Sequence, residues 1–153
     1  MNPSTPIYII SLSRTPERRL HMQRQLDVLG LEYQFVDAID KFDLESKTYR
    51  MRIAQSLDIE ESTLENKYAA IINYMKTQEN GCGQLANTLS HIKIYNLMVK
   101  KNIDRVCILE DDATLLPTFL EVLEITPKLE WDILLLASQP TDFRLTLIQK
   151  KVT

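Results

Sequence analysis

Three short stretches of the chain are apolar at nearly every position, and they constrain the fold more than any other feature. They read IYIISL at residues 7–12, RVCILE at residues 105–110 and WDILLLA at residues 131–137. Each is too short for a typical helix and therefore predicts a β-strand. Because a strand with one face in water alternates apolar and polar residues, these runs predict strands covered on both faces, as in the parallel sheets of α/β proteins.

The residues after the first run predict a helix followed by a second strand. Thr15 can cap a helix, Pro16 suits its first turn, and Gly30 can close its C-terminus. The run YQFVDAI at residues 33–39 then predicts a strand, so this region predicts a βαβ unit with two parallel strands. Three polar side chains of the predicted helix are expected to face solvent: Arg19, His21 and Arg24.

The rest of the chain completes the predicted α/β domain. Residues 41–80, approximately, are more polar and predict a helical insertion, and a second helix with apolar residues at intervals of three and four follows and ends near Lys101. A short helix opened by Pro117 should lie between the last two apolar runs, and FRLTLI at residues 143–148 predicts an edge strand. We therefore expect one domain over residues 1–153, with a mainly parallel sheet flanked by helices.

Charge and cysteine usage narrow the class of protein. The formal net charge is −3 and basic residues alternate with acidic ones, so we expect no nucleic-acid partner. Cys82 and Cys107 have no neighbouring ligands at metal-site spacing, which predicts free thiols in a reducing compartment. The apolar segment near the N-terminus is too short for a signal peptide or a membrane helix, which predicts a soluble, cytoplasmic protein.

The acidic turn, defined here as Glu110, Asp111 and Asp112, directly follows the second apolar run. Three adjacent carboxylates either lie in water or hold a cation, because like charges repel when water is removed. If the backbone stays extended, Glu110 and Asp112 point to one side and Asp111 to the other. The end of a parallel strand is where open α/β sheets bind ligands, and carboxylates suit Mg²⁺ or Mn²⁺. The alternative is a solvated acidic turn in which Asp112 caps the next helix.

A different family also has an acidic pair at such a position. The segment CILEDDATLLPTFLEVLE, residues 107–124, resembles the start of a response-regulator receiver domain, in which the pair binds Mg²⁺. That family requires a further carboxylate at the end of its third strand and a lysine beyond it. The run at residues 131–137 ends in Ala137 and too little chain follows, so the receiver interpretation is disfavoured.

Three separated segments, in order, resemble glycosyltransferase family 25, the lipooligosaccharide galactosyltransferase group that also contains the collagen galactosyltransferases. The segments are residues 7–40, 83–116 and 131–137. The resemblance implies a nucleotide-sugar fold of the GT-A type. It also implies transfer of a hexose, commonly galactose, from a UDP-sugar donor to a saccharide acceptor on a lipid, such as lipooligosaccharide or lipopolysaccharide. The protein would then work at the cytoplasmic face of the inner membrane, in peripheral contact with it.

The resemblance also implies roles for particular residues. Glu110 and Asp112 would hold Mn²⁺ or Mg²⁺ on the diphosphate, and Asp111 would bond ribose or sugar hydroxyls. His91 could instead be a histidine satisfied inside the core. The implied donor-binding residues are Ser11, Leu12, Arg14, Arg18, Ser90, His91 and Asp111.

The sequence departs from the family pattern in two respects. Gln84 stands where the family usually has a glutamate, so a metal or hydroxyl role at that position is in doubt. Family catalytic domains also continue beyond the third apolar run, so we expect an incomplete fold that carries the donor-binding part and no evident general base. The alternative function is therefore a non-catalytic nucleotide-sugar-binding remnant, or one part of a split enzyme.

Overall fold

A computed structural model describes residues 5–45, 51, 53–55, 57, 59–135 and 145–149. The elements follow in the order β1 (Ile7–Ser11), α1 (Pro16–Val28), β2 (Gln34–Asp37), a 3₁₀ helix (Lys41–Glu45), α2 (Glu61–Lys76), α3 (Gly81–Lys101), β3 (Arg105–Glu110), α4 (Phe119–Ile125), a second 3₁₀ helix (Thr126–Lys128), β4 (Ile133–Leu135) and β5 (Leu145–Gln149). The predicted α/β class is confirmed.

The five strands form one sheet in the order β2-β1-β3-β5-β4. Its parallel part has three strands, with β1 between β2 and β3, and helices flank it as predicted. In the parallel pair of β1 and β3, Ile10 lies opposite Glu110. All of β1 and the four central residues of β3 are buried, which confirms the prediction for these two runs. An edge strand was predicted at residues 143–148, of which residues 145–148 are described, and its edge position is wrong because β5 pairs antiparallel with both β3 and β4.

The third apolar run differs from its prediction. The strand β4 is at the edge of the sheet, and Ile133 and Leu135 are 62% and 69% exposed, while Leu134 packs against the core. The run is therefore not covered on both faces. The run does not alternate apolar and polar residues, because apolar side chains are tolerated on its exposed face. The sequence pattern alone therefore does not reveal which face is exposed. Residues 136–137 of the predicted strand lie outside the described residues.

Local signals set the ends of α1. Gly30 has φ of 66°, the Leu31 N–H donates to the Leu26 carbonyl, and the Gly30 N–H donates to the carbonyl of Asp27. This is the left-handed C-terminal motif that glycine favours, and it confirms the predicted end of the helix. Thr15 stands at the N-cap position, but it does not cap the helix with its side chain as predicted. Its hydroxyl donates instead to a carbonyl of the preceding turn.

Backbone contacts divide the chain into two compact units. We call Met1–Val36 with Lys101–Thr153 the sheet unit, and Asp37–Lys100 the helical unit. The buried core of the sheet unit contains Ile7, Ile9, Met22, Leu26, Cys107, Leu109, Ala113 and Phe119. The buried core of the helical unit contains Ile39, Leu44, Ile53, Ala54, Leu57, Leu64, Leu85, Ala86 and Leu89. The prediction of one domain with an insertion at residues 41–80 stays a prediction. Within the described part of the chain, no helix has the length and apolar character needed to cross a bilayer.

Candidate functional site

The acidic turn lies at the C-terminal end of β3, beside the C-terminal end of β1. Strand β3 ends at Glu110, and the Ala113 N–H donates to the Glu110 carbonyl at 3.1 Å, which closes a tight turn. Because β1 and β3 are parallel and Ile10 is opposite Glu110, Ser11 and Asp111 follow side by side. The structure therefore places a serine and a carboxylate together at the sheet edge where open α/β proteins bind ligands.

Asp111 is the buried member of the acidic turn. It is 7% exposed, and both of its carboxylate oxygens accept hydrogen bonds. The Ser11 hydroxyl donates to Oδ2 at 2.8 Å, and Arg18 Nη1 donates to Oδ1 at 3.1 Å. The hydrogen bond to Asp111 and the negative charge nearby raise the pKa of the Arg18 guanidinium. The two hydrogen bonds and the ion pair with Arg18 therefore fix the position of this buried carboxylate.

Asp112 faces the opposite environment. Its side chain is 57% exposed, and its Oδ2 lies 3.5 Å from Arg18 Nη1, the same nitrogen that bonds Asp111. The predicted alternation is wrong for the two aspartates, because Asp111 and Asp112 both lie beside the same Arg18 nitrogen. The strand ends at Glu110, so the following residues turn and one guanidinium reaches both aspartates. The assignment of Glu110 and Asp112 as metal ligands is separate from this geometry and stays a prediction.

Arg19 is part of the site although it was predicted to face solvent. Its Nε donates to the Ser11 hydroxyl at 3.3 Å, and its Nη2 donates to the Ser11 carbonyl at 3.2 Å. The guanidinium also lies over the ring of Phe35, 5.3 Å from the ring centroid. The prediction failed because helical periodicity assigns a residue to a face but does not show that β2 brings an aromatic ring to that face.

Gln25 was not singled out by the sequence, yet it holds the segment that follows the acidic turn. Its amide nitrogen donates to the Ala113 carbonyl at 3.0 Å, and its amide oxygen accepts from the Leu115 N–H at 2.8 Å. We call this pair of bonds the Gln25 clamp. Gln25 lies seven residues after Arg18 and three after the buried Met22, which places all three on one face of α1. That spacing is the only sequence signal that could have identified it.

The other predicted donor-binding residues in the sheet unit line the β1–α1 turn. Leu12 is half-buried, and its carbonyl accepts bonds from the backbone N–H and the hydroxyl of Thr15. Arg14 is exposed in the same turn. Together with Ser11, Arg18 and the acidic turn, these residues occupy one edge of the sheet unit. Their donor-binding roles stay predictions.

Ser90 and His91 belong to the helical unit. The Ser90 hydroxyl is buried, donates to the Ala86 carbonyl at 2.8 Å and accepts from the Ile39 N–H at 2.9 Å. That hydroxyl therefore donates its single proton, and accepts one bond, inside the helical unit. His91 is half-buried, with its ring 6.3 Å from the ring of Tyr95. Donor binding by these two residues stays a prediction.

The acidic turn fits a hard divalent cation that keeps water and phosphate among its ligands. Its oxygen donors are of the type that Mg²⁺ and Mn²⁺ prefer, and the Asp112 carboxylate is accessible. Among the described residues, no group of three or more histidine, cysteine, aspartate and glutamate side chains is arranged to hold a metal ion. The binding of Mn²⁺ or Mg²⁺ at the acidic turn stays a prediction.

Fold and site together define an α/β protein with a cluster of charged side chains at the carboxyl ends of adjacent parallel strands, where open α/β sheets bind ligands. The family model described as glycosyltransferase family 25 (LPS biosynthesis protein) matches residues 4–149 of the chain. The chain belongs to glycosyltransferase family 25.

Relatives with curated descriptions agree with this membership. A glycosyltransferase 25 family member of Drosophila melanogaster is 33% identical over 113 residues, which cover 74% of this chain and 17% of the relative. A glycosyltransferase 25 family member of Aedes aegypti is 36% identical over 113 residues, with the same coverage of 74% and 17%. The inactive glycosyltransferase 25 family member 3 of Mus musculus is 28% identical over 136 residues, 85% of this chain and 21% of the relative. The chain thus spans about a fifth of the length of these relatives.

Proposed function

We propose that this chain is the donor-binding part of a metal-dependent glycosyltransferase that transfers a hexose, with galactose as the first candidate, from a UDP-sugar. One observation carries the proposal. Within a family 25 chain, Ser11 and Arg18 meet the acidic turn at the carboxyl ends of β1 and β3. This is the position at which an α/β fold of the GT-A type would bind a nucleotide diphosphate.

The residues of this edge have complementary tasks in the proposed site. Arg14 and Arg18 would contact phosphate oxygens, and the first N–H groups of α1 would add donors of partial positive charge. Glu110 and Asp112 would hold Mn²⁺ or Mg²⁺. Such a cation stabilises the negative charge that develops on the departing UDP. Asp111 would act through Arg18, because its carboxylate fixes the guanidinium near the accessible Asp112.

The proposed acceptor is a saccharide on lipooligosaccharide or lipopolysaccharide. The description of the matching family names lipopolysaccharide biosynthesis, which supports this class of acceptor. The protein would then act in the cytoplasm, in peripheral contact with the cytoplasmic face of the inner membrane, where a lipid-linked acceptor is accessible.

A second candidate function is nucleotide-sugar binding without transfer. The name of the mouse relative describes it as inactive, and it is 28% identical to this chain over 136 residues. The candidate site contains groups of the type that bind a nucleotide-sugar donor, but none of its residues is assigned as the general base for an acceptor hydroxyl. The chain would then be a binding protein or one component of a split enzyme.

The donor site can be tested by thermal unfolding with UDP, with Mn²⁺, and with both. A ligand that binds only the folded state stabilises it by about 2.7 kcal/mol at a hundredfold excess over Kd. We expect UDP with Mn²⁺ to raise Tm well beyond UDP alone, and we expect Asp112→Asn to lose that increment. Asp104→Asn is the matched control, because it removes an exposed aspartate at the opposite end of β3. No metal-dependent increment in the wild type would sink the donor-site proposal.

Transfer and binding are separated by a second measurement. UDP release from UDP-galactose is followed with and without a lipooligosaccharide acceptor. Acceptor-dependent release that Asp112→Asn abolishes identifies a transferase, whereas metal-dependent binding with no release identifies the binding protein.

A further inference from the structure

The Arg18 guanidinium contacts two carboxylates that differ in burial and in hydrogen bonding. Arg18 Nη1 lies 3.1 Å from Asp111 Oδ1 and 3.5 Å from Asp112 Oδ2. Asp111 is buried and also accepts a bond from the Ser11 hydroxyl, so its position is fixed. Asp112 is largely exposed, and its contact with Arg18 is the longer of the two. Arg18 therefore holds Asp112 by charge while being anchored to Asp111.

This arrangement affects any cation that approaches the acidic turn. A divalent ion that binds Asp112 must share that carboxylate with a positive group already beside it, and like charges at such short range repel. The Arg18 side chain is 47% exposed, so it can also be reached by a ligand from solvent. A diphosphate attracts both the guanidinium and the cation, and its negative charge removes the repulsion between them.

We propose that Arg18 makes cation binding at the acidic turn conditional on the diphosphate: it disfavours the free cation and favours the cation–diphosphate pair. This inference rests on the proposed function and adds to it the selectivity of the site. By thermodynamic linkage, the diphosphate must raise the affinity for the cation by the same factor by which the cation raises the affinity for the diphosphate. Arg18 is thus a specificity-determining residue as well as a phosphate contact.

The test is calorimetric titration of Mn²⁺ into the folded protein, first alone and then with saturating UDP. In the wild type we expect UDP to tighten Mn²⁺ binding by at least about tenfold, within the range typical of coupled sites. Arg18→Gln keeps a donor for Asp111 and removes the charge. It should bind Mn²⁺ alone about tenfold more tightly than the wild type, a fold-change in the same range, and show much weaker coupling to UDP. Arg24→Gln is the matched control, since Arg24 is exposed on the same helix.

If Arg18 only stabilised the turn, Arg18→Gln would bind Mn²⁺ more weakly than the wild type, not more tightly. Disordering the turn would lower Mn²⁺ affinity, whereas removal of a competing charge raises it. Arg18→Lys keeps the positive charge and should bind Mn²⁺ alone as weakly as the wild type does. This variant keeps the inference testable if Arg18→Gln folds poorly, because tighter binding of Mn²⁺ alone by Arg18→Lys would contradict it. Unchanged Mn²⁺ affinity in Arg18→Gln, with UDP-dependent binding intact in the wild type, overturns this inference alone. No Mn²⁺ binding by the wild type even with UDP overturns the proposed function and this inference together.

Discussion

At the scale of single residues, burial gives two adjacent aspartates different roles. Asp111 is buried with both oxygens bonded, while the Asp112 side chain is mostly in water. Hydrogen bonds to charged groups contribute about 1.5–3 kcal/mol each when their partners are desolvated, so Asp111 is held in place by the fold. Asp112 gains little from its half-exposed ion pair and remains accessible to a ligand. Asp111 thus holds the turn in place, and Asp112 exposes its charge to solvent.

The two cysteines also differ in burial, and burial decides which of their thiols can react. Cys107 is buried in the core of the sheet unit, and burial raises the pKa of its thiol to about 12, whereas Cys82 is half-buried in the first turn of α3. Because the thiolate is the reactive form, Cys107 should be inert in the folded protein. We expect a disulfide reagent at pH 8 to label Cys82 in the native state and Cys107 only after unfolding. Rapid labelling of native Cys82→Ser would contradict this.

The raised pKa of Cys107 also predicts a dependence of stability on pH. The folded thiol holds its proton up to a pKa of about 12, against an ordinary value of 9.0. The contribution of this group to stability is therefore complete below pH 9.0 and is lost as the pH rises toward about 12. In that window, the free energy of unfolding should fall more steeply for the wild type than for Cys107→Ala, as measured by urea unfolding at a series of pH values. Equal slopes would contradict burial of the thiol.

At the scale of elements, α1 joins the strand ends to the acidic turn. The ends of this helix were predictable, because Pro16 and Gly30 are local signals that act within a few residues. The contacts of Arg18 and Gln25 were not, because they reach residues about ninety positions away in the chain, and periodicity does not report which partner a helix face meets. The candidate site was thus predictable in its residue types and its place at the strand ends, but not in its internal bonding.

The Gln25 clamp gives a direct test of this element. Gln25→Leu removes both bonds and leaves the Leu115 N–H without its partner, so the free energy of unfolding should fall by about 1–3 kcal/mol. Gln23→Leu is the matched control on the exposed side of α1 and should change stability by less than about 0.5 kcal/mol. Gln25→Glu keeps the acceptor for the Leu115 N–H, so its free energy of unfolding should lie between those of Gln25→Leu and Gln23→Leu. Urea unfolding that ranks the two leucine variants equally would refute the clamp.

At the scale of the whole molecule, the order of strands in the sheet depends on pairings that the sequence pattern does not encode. The buried runs of β1 and β3 predicted their own burial, because a strand in the centre of the sheet has to be apolar on both faces. The same reasoning failed for β4, which is at the edge. The prediction of an edge strand at residues 143–148 failed as well, because β5 lies between β3 and β4. An apolar run shows that a strand tolerates burial, whereas its place in the sheet is decided by antiparallel pairing with a distant segment.

The edge position of β4 predicts opposite outcomes for two neighbouring residues. Ile133 is 62% exposed, so Ile133→Lys should change the free energy of unfolding by less than about 0.5 kcal/mol, and lysine is a residue that natural edge strands use against aggregation. Leu134 packs against the core of the sheet unit, so Leu134→Lys should cost more than about 2 kcal/mol by burying a charge. Urea unfolding of both variants distinguishes an edge strand from one covered on both faces, since a doubly covered strand would lose stability at both positions.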